Sequence, residues 1–251
     1  MIPDRRHDEI IKMLTQRGSL TLKEVVDELG VSEATARRDI NRLAEAGRLV
    51  RAYGGAVIKG PAEVPFTYSD STDRDEKQRI AQAAAELVSD SDTVVLDIGS
   101  TVLELSRLLA GRPITVITSN LAVFEVMKGA DRTELILLGG QFRRNYLSTV
   151  GFLAENAMRQ LHADIAFLGT SGITKAGRVL DTTPVEVSVK QQMIESSERV
   201  VLLATQRKFP GTGLRVVCGP DRVSTLITSA GTPDDYLLEF RRSGTAVMKV
   251  S

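Results

Sequence analysis

The sequence predicts two domains, a small helical domain closed by a β-hairpin and then a larger, mainly parallel α/β domain. Three helical patterns and a hairpin pattern occupy residues 1–58 of the 251-residue chain, and beyond residue 72 short apolar runs alternate with helical segments. The stretch between them has no periodicity and contains Gly60, Pro61 and Pro65, which break helices and strands. We therefore expect domains at 1–58 and 73–251, joined by a linker at 59–72.

The third helical pattern of the first domain begins at Ser32 and ends near Gly47. The Ser32 hydroxyl can cap the first turn, and a glycine commonly ends a helix. Ala36, Ile40 and Leu43 recur at helical spacing and predict a buried face. The polar residues directed away from that face are Thr35, Arg37, Arg38, Asn41 and Arg42. A short helix with this much exposed arginine is suited to binding an anion.

Two apolar stripes precede this helix, and a strand pattern follows it. The stripes comprise Ile10, Ile11, Met13 and Leu14, and then Leu22, Val25, Val26 and Leu29. The turn from Gly30 to Ser32 is typical of a helix-turn-helix motif. Downstream, residues 48–51 and 56–58 flank Gly54-Gly55, a pair that tolerates the positive φ of a tight hairpin turn. The pattern thus predicts a winged helix-turn-helix domain whose wing is this hairpin.

Charge favours a nucleic-acid partner locally, although the formal net charge of the chain is +0 at pH 7. Across the third helix and the wing, basic residues outnumber acidic ones: Arg37, Arg38, Arg42, Arg48, Arg51 and Lys59 stand against Glu33, Asp39 and Glu45. A solvated helical face would explain a charge run without this surrounding turn and wing; with them, we expect double-stranded DNA as the partner. The candidate DNA-binding residues are Ser32, Thr35, Arg37, Arg38, Asn41, Arg42, Arg48, Arg51, Tyr53 and Gly54.

The remaining composition argues against several other classes of protein. Cys218 is the only cysteine, so no intramolecular disulfide can form, and its neighbours Val216 and Val217 indicate a buried strand residue. His7 and His162 stand far apart without clustered cysteines, so we expect no metal site and no cofactor, and we assign neither histidine a role. No run approaches the ~18 apolar residues of a membrane span, and the N-terminus shows no apolar signal region, so a cytoplasmic protein is expected.

The second domain alternates strand and helix patterns. The predicted strands are near-continuous apolar runs at 93–96, 114–117, 134–138, 164–168, 200–203, 215–218 and 225–227, and the predicted helices lie at 73–88, 102–109, 122–127, 153–161 and 185–197. Such runs are typical of parallel strands covered on both faces. An α/β fold with a mainly parallel sheet follows.

Turns rich in glycine and hydroxyl side chains follow four of these strands. They contain Asp97, Gly99, Ser100 and Thr101; Thr118 and Asn120; Gly139 and Gly140; and Gly169, Ser171 and Gly172. Ligands of open α/β sheets bind beyond the carboxyl ends of the strands, and the amides at the start of a helix favour a phosphate. Each turn alone is typical of a tight turn and helix cap. Four at one edge of a sheet indicate a phosphorylated small molecule as ligand.

The run from Arg5 to Val57 resembles the DNA-binding domain of the DeoR-type repressor family, which has paired arginines near its start, a VSxxTxRRD core and a closing GGA. The matching residues are Arg5-Arg6, Val31-Ser32, Thr35, Arg37-Arg38-Asp39 and Gly54-Gly55-Ala56, with Tyr53 where the family often has histidine. Because several separated motifs match in order, the resemblance is more specific than helical periodicity alone.

The second domain resembles the sensor domain of the same family, which is similar in fold to ribose-5-phosphate isomerases. The resemblance adds Gly151, Lys190 in the helix after Glu186, and Lys208-Phe209 to the turns already described. It implies an effector site made of Asp97, Gly99, Ser100, Thr101, Thr118, Asn120, Gly139, Gly140, Gly169, Ser171, Gly172, Glu186, Lys190 and Lys208. Thr205 and Ser229 depart from the family pattern, since each stands where aspartate is common.

The resemblance implies a regulator and not an enzyme: a repressor of sugar or carbohydrate metabolism genes that leaves its operator when a phosphorylated sugar binds. The alternative is an active sugar-phosphate isomerase tethered to DNA, with Asp97 or Glu186 as the base and Lys190 or Lys208 stabilising an enediolate. For Glu186 and Lys190 themselves, the simpler interpretation is a surface i, i+4 ion pair. A third function, a purely architectural DNA-binding protein, does not explain why so much of the chain forms an α/β ligand-binding fold. Because operator half-sites mirror a two-fold protein, we expect a homodimer or homotetramer assembled through the second domain.

Overall fold

The computed structural model describes residues 3–17, 19–52, 55–57 and 73–251. The chain divides into two compact units, Met1–Val64 and Pro65–Ser251. The linker expected at 59–72 lies outside the described residues, as do Tyr53 and Gly54.

The first unit is a winged helix-turn-helix domain, as predicted. Its elements are α1 (Pro3–Arg17), β1 (Ser19–Thr21), α2 (Leu22–Leu29), α3 (Glu33–Glu45), β2 (Val50–Ala52) and β3 (Gly55–Val57). Apolar residues of all three helices form one core, including Ile10, Leu14, Val25, Ile40 and Leu43. Gly30, at φ 62°, ends α2 in the left-handed region that glycine reaches without strain.

Strand β1 was not predicted, and it changes the role of Gly55. The three short strands pair antiparallel in the order β1–β3–β2, with Thr21 opposite Gly55. A Cβ on Gly55 would lie 2.8 Å from the Thr21 Cα and even closer to the Leu20 carbonyl oxygen. Glycine is therefore required here by the close approach of β1, beyond any need of the hairpin turn.

The second unit is built on a sheet of seven parallel strands in the order β15–β14–β12–β9–β4–β5–β6. These strands are β4 (Thr93–Leu96), β5 (Thr115–Thr118), β6 (Glu134–Leu137), β9 (Ala163–Leu168), β12 (Ser197–Ala204), β14 (Thr225–Ser229) and β15 (Ala246–Val250). The mainly parallel α/β fold is thus confirmed, with β15 added to the predicted strands at one edge.

Helices cover both faces of this sheet. They are α4 (Arg74–Ala85), α5 (Ser100–Leu109), α6 (Leu121–Met127), α7 (Phe152–Arg159), α8 (Pro184–Glu195) and α9 (Leu238–Arg242). Successive strand residues enter opposite cores: Leu96 and Phe167 pack with α4, α5 and α6, whereas Val95 and Ala166 pack with α7, α8 and α9. Burial on both faces explains why the inner strands are continuous apolar runs. At the sheet edge, β6 is less buried.

The run at 215–218 does not join the parallel sheet, so that prediction was wrong. It forms β13 (Arg215–Cys218) in a separate antiparallel sheet with β10 (Gly172–Ile173) and β11 (Val179–Asp181). An apolar run of four residues predicts a strand but not its partner. Cys218 is buried, as expected, and burial raises the pKa of its thiol to about 12. A hairpin of β7 (Gln141–Arg143) and β8 (Ser148–Val150) completes the unit.

The strand order reverses between β4 and β9. From β4 the chain moves through β5 to β6, and then returns to the other side of β4 as β9. The residues that follow these two strands, Asp97 and Gly169, therefore lie at the switch point where ligands of such sheets bind. In the part of the chain that the structure describes, no helix combines the length and apolar character needed to cross a bilayer.

Gly55→Ala is expected to destabilise the first unit by about 1–3 kcal/mol, the usual cost of overpacking, because the added methyl group meets the β1 backbone. Urea unfolding followed by circular dichroism measures the change. Gly129→Ala is the matched control, since a Cβ there has no atom within 4 Å. Equal stability of the two variants would contradict the close approach of β1.

Candidate functional site

Helix α3 presents its arginines to solvent. Ser32 caps the helix, with its Oγ accepting a hydrogen bond from the Thr35 amide at 3.3 Å. Arg37, Arg38 and Arg42 are exposed. Arg37 donates to Glu33 at 3.1 Å, but both side chains are more than half exposed, so the pair is weak and can give way to a phosphate. The capped helix therefore offers three available guanidinium groups.

The other candidate DNA-binding residues differ in their exposure and in their contacts. Asn41 is partly buried, and its Oδ1 has no hydrogen-bond partner within the described part of the chain. Arg48 is exposed and lies 3.4 Å from Asp8. Arg51 belongs to β2. Tyr53 and Gly54 stay predictions, since they lie outside the described residues.

Asp39 does not belong to the exposed face on which the sequence argument counted it. It is 2% exposed and accepts hydrogen bonds from Arg6 at 2.5 and 3.2 Å, and His7 Nε2 lies 3.0 Å from it. Burial opposes the charged carboxylate, but the bonds to Arg6 and His7 outweigh burial and lower the pKa of Asp39. This ion pair ties α1 to α3. His7, to which the sequence argument gave no role, is part of it.

In the second unit, a buried ion pair occupies the switch point. Lys190 of α8 donates to the Asp97 carboxylate and, at 3.1 Å, to the Gly169 carbonyl oxygen. Asp97 also accepts the Gly169 amide at 2.9 Å. A Cβ on Gly169 would lie 2.7 Å from the Ile98 carbonyl oxygen, so only glycine lets the two strand ends approach this closely. Both charged side chains are at most 2% exposed.

Two more carboxylates surround Lys190. Asp181, at the end of β11, lies 3.5 Å from its ammonium, and Glu186 acts on it at longer range. Burial disfavours the charged lysine, but Asp97 and Asp181 outweigh that effect and raise the pKa of Lys190. The Lys190 ammonium therefore has a partner in each of three strand ends, those of β4, β9 and β11, and it joins them to α8.

Glu186 is held by the β7–β8 hairpin. Its Oε1 accepts from Arg143 at 2.6 Å and from Ser148 at 2.7 Å. Glu186 is 1% exposed, and burial raises the pKa of its carboxyl group. The interpretation of Glu186 and Lys190 as a surface ion pair is therefore wrong: both are buried, and each has its own partner. Sequence reasoning missed Arg143, Ser148 and Asp181, although Asp181 ends an apolar run just before a helix.

Lys208 differs from Lys190. It lies in a one-turn 3-10 helix, Gln206–Lys208, just after β12. It is partly buried, and among the described residues its ammonium has no hydrogen bond or ion pair. Burial lowers the pKa of Lys208, and the charges that act on it are Asp181, Lys190 and Asp73. It is thus a basic side chain near the switch point that has no ion-pair partner among the described residues.

The start of α5 is also open. Gly99 is the residue before the helix, at φ 126°, and no atom lies within 4 Å of where its Cβ would be. The Ser100 and Thr101 side-chain hydroxyls have no hydrogen-bond partner within the described residues. Free hydroxyls and first-turn amides at a helix N-terminus are suited to an anion.

Most of the remaining candidate residues make contacts within the protein, whereas Gly139 is exposed. Thr118 donates to the Leu96 carbonyl oxygen at 2.6 Å, and Asn120 accepts the Ala122 amide at 2.9 Å as the cap of α6. The glycines support tight packing: Gly140 faces Val150, and Gly172 faces the backbone around Thr212. The Ser171 amide donates to the Leu180 carbonyl oxygen, and Gly139 has open space where a Cβ would be. No group of three or more histidine, cysteine, aspartate or glutamate side chains in the described ranges is placed to hold a metal ion.

Comparison with known families places both units. Residues 6–61 match the DeoR-like helix-turn-helix domain, and residues 72–230 match the DeoR C terminal sensor domain. The chain belongs to the DeoR family. The regulator UlaR of Escherichia coli O127:H6, named an HTH-type transcriptional regulator, is 31% identical over 256 residues that cover all of both chains, and that of Shigella flexneri serotype 5b is 30% identical over the same span.

Membership in this family decides between the two functions. The full-length relatives are transcriptional regulators, so the chain is a DNA-binding regulator and not a tethered isomerase. Ribose 5 phosphate isomerase A of Neisseria gonorrhoeae is 19% identical, with a TM-score of 0.41 and 56% of each chain covered. At that score the likeness carries no argument about chemistry.

Arg6→Ala should destabilise the first unit by about 1–3 kcal/mol, because it leaves the buried Asp39 carboxylate short of a partner. Folding lowers the pKa of Asp39, so the ionised carboxylate adds to the free energy of unfolding at pH values above its unfolded pKa of ~4. This stabilisation is lost as the pH falls from that value through the lower pKa of the folded state. Chemical denaturation between pH 7 and pH 3 measures both effects. In Asp39→Asn this acid-dependent loss should shrink; an unchanged profile would show that Asp39 does not carry it.

Proposed function

We propose that this DeoR-family regulator represses genes of sugar or carbohydrate metabolism and leaves its operator when a phosphorylated sugar binds its sensor unit. The observation that carries the proposal is the separation of charges: buried ions are paired within each unit, whereas the arginines of α3 and Lys208 are available to anions. The regulator acts on chromosomal DNA in the cytoplasm, as a homodimer or homotetramer that matches a two-fold operator.

On the DNA side, α3 would enter the major groove and the hairpin would contact the backbone. Arg37 and Arg38 are the best placed for bidentate contacts to guanine, because both are exposed and lie one turn or so after the Ser32 cap. Arg48 is suited to a phosphate contact at the start of the hairpin.

Arg37→Ala and Arg38→Ala should each weaken operator binding by about 5- to 150-fold, the range for loss of one base contact, and relax specificity at one base pair. Arg48→Ala should weaken all sequences more evenly and reduce the salt dependence. Fluorescence anisotropy on duplexes selected from a random library measures both. Arg132→Ala, an exposed arginine of the sensor unit, is the control. Unchanged affinity in both α3 variants would refute the assignment.

On the effector side, the available groups divide into two kinds. Lys208 and the start of α5, with Ser100 and Thr101, are suited to a phosphate, since they combine a cation, hydroxyls and helix amides. The carboxylates near Lys190 supply acceptors for hydroxyl groups. A ligand with a phosphate at one end and hydroxyl groups at the other, such as a sugar phosphate, would fit both kinds of group. Thr118 and Asn120 position the strand ends and are not assigned to the ligand.

Lys208→Met should abolish most of the stabilisation that a sugar phosphate gives, while operator binding without ligand stays at the wild-type level. A ligand at ~100 times its Kd stabilises a protein by ~2.7 kcal/mol, and loss of one charged hydrogen bond weakens binding about 10- to 100-fold. A thermal-shift screen of phosphorylated sugars finds the ligand, and operator release then measures its effect.

Lys175→Met is the matched control, since Lys175 is exposed and pairs with Asp235 away from the switch point. Equal shifts in both methionine variants would rule out Lys208 as the phosphate partner. Asp97→Asn is a less discriminating variant, because it also removes the main partner of the buried Lys190.

A further inference from the structure

The turn that carries Lys208 also holds the first turn of α4. The Gln206 amide donates to Glu76 Oε1 at 2.8 Å, and Arg207 Nε lies 2.9 Å from Asp73 Oδ2. Two successive residues of one 3-10 turn, Gln206 and Arg207, thus contact the start of α4, and the third, Lys208, is acted on by the charges of Asp181 and Lys190 at the switch point. The turn is short, so a displacement of one of these residues moves the others.

Asp73 lies at the start of α4. It is the residue before α4, its carbonyl oxygen accepts the Lys77 amide at 3.1 Å, and it adopts φ 54°, a left-handed conformation that is uncommon for residues other than glycine. Asp73 is also one of the three charges that act on Lys208. In the chain it directly follows residues 58–72, which lead to the DNA-binding unit.

Ser229 explains how this arrangement departs from the family pattern. Its Oγ donates to Glu76 Oε1 and accepts the Gln206 amide at 3.3 Å. An aspartate at this position would place a second carboxylate against Glu76, and like charges in a partly buried contact repel. Serine at position 229 therefore lets Glu76 accept the hydrogen bonds that hold the turn.

We propose that Asp73, Arg207 and Glu76 transmit effector binding from the Lys208 turn to the start of α4, and so to the chain that leads to the DNA-binding unit. The proposal rests on the proposed function of Lys208 as a phosphate partner. A phosphate at Lys208 would neutralise one of the cations that act on Asp73, and its own negative charge would oppose that of Asp73. Asp73 is then held less tightly, and the first turn of α4 loosens.

Hydrogen exchange of the full-length chain with inorganic phosphate as the probe tests this route. Phosphate is compared with chloride at equal ionic strength. Exchange of peptides covering 206–209 should slow, and exchange of peptides covering 73–80 should speed up, each by about five-fold, the low end of coupling between sites. In Asp73→Asn and in Arg207→Ala the slowing at 206–209 should persist, whereas the change at 73–80 should disappear.

Both substitutions should leave the fold intact. Asparagine tolerates the left-handed backbone of Asp73, and the Arg207 side chain is 63% exposed. Arg241→Ala is the control, because it removes a comparably exposed partner of Asp234 away from α4 and should behave as wild type. Slowing at 206–209 with no faster exchange at 73–80 in the wild type would overturn the transmission proposal alone. No phosphate effect at 206–209 would overturn both this proposal and the role of Lys208.

Discussion

The buried ion pair between Lys190 and Asp97 is the interaction on which the sensor unit depends. It joins α8 to the end of β4, and through the Gly169 amide and carbonyl oxygen it also joins β9. A buried ammonium without partners would cost several kcal/mol, and Asp181 and the Gly169 carbonyl oxygen add to the stabilisation that Asp97 gives. The absence of a side chain at Gly169 then follows from the geometry that this pair imposes on the strand ends.

The partners of this pair can be compared with what an isomerase would need. A general base needs a carboxylate that is free to take a proton, and a lysine that stabilises an oxyanion must have donors to spare. Asp97 is committed to Lys190, Glu186 to Arg143 and Ser148, and Lys190 to two carboxylates and a carbonyl oxygen. These contacts fix the orientation of each charged group, while burial raises the pKa of both the Asp97 and the Glu186 carboxyl groups.

Local patterns predicted most of the fold. The Ser32 cap, Gly30 and the period of Ile40 and Leu43 depend on neighbours in the chain, and they gave α2 and α3 to within two residues. Contacts between distant residues were beyond this reasoning: Arg143 lies 43 positions from Glu186, and Arg6 lies 33 positions from Asp39. The sequence indicated that Glu186 and Lys190 share a helix, but it could not show that both are buried with separate partners. For the same reason, the run at 215–218 predicted a strand without predicting its sheet.

Both units pair a buried carboxylate with some of their basic side chains and leave others without such a partner. A protein that binds anions must keep some cations unpaired, yet an unpaired charge is costly to bury. In the first unit Asp39 takes Arg6 and His7 and leaves Arg37, Arg38 and Arg42 exposed on the same helix. In the second, Asp97 and Asp181 take Lys190 and leave Lys208. The buried carboxylates therefore do more than stabilise each unit: they neutralise Arg6 and Lys190 and leave the α3 arginines and Lys208 without a buried carboxylate partner.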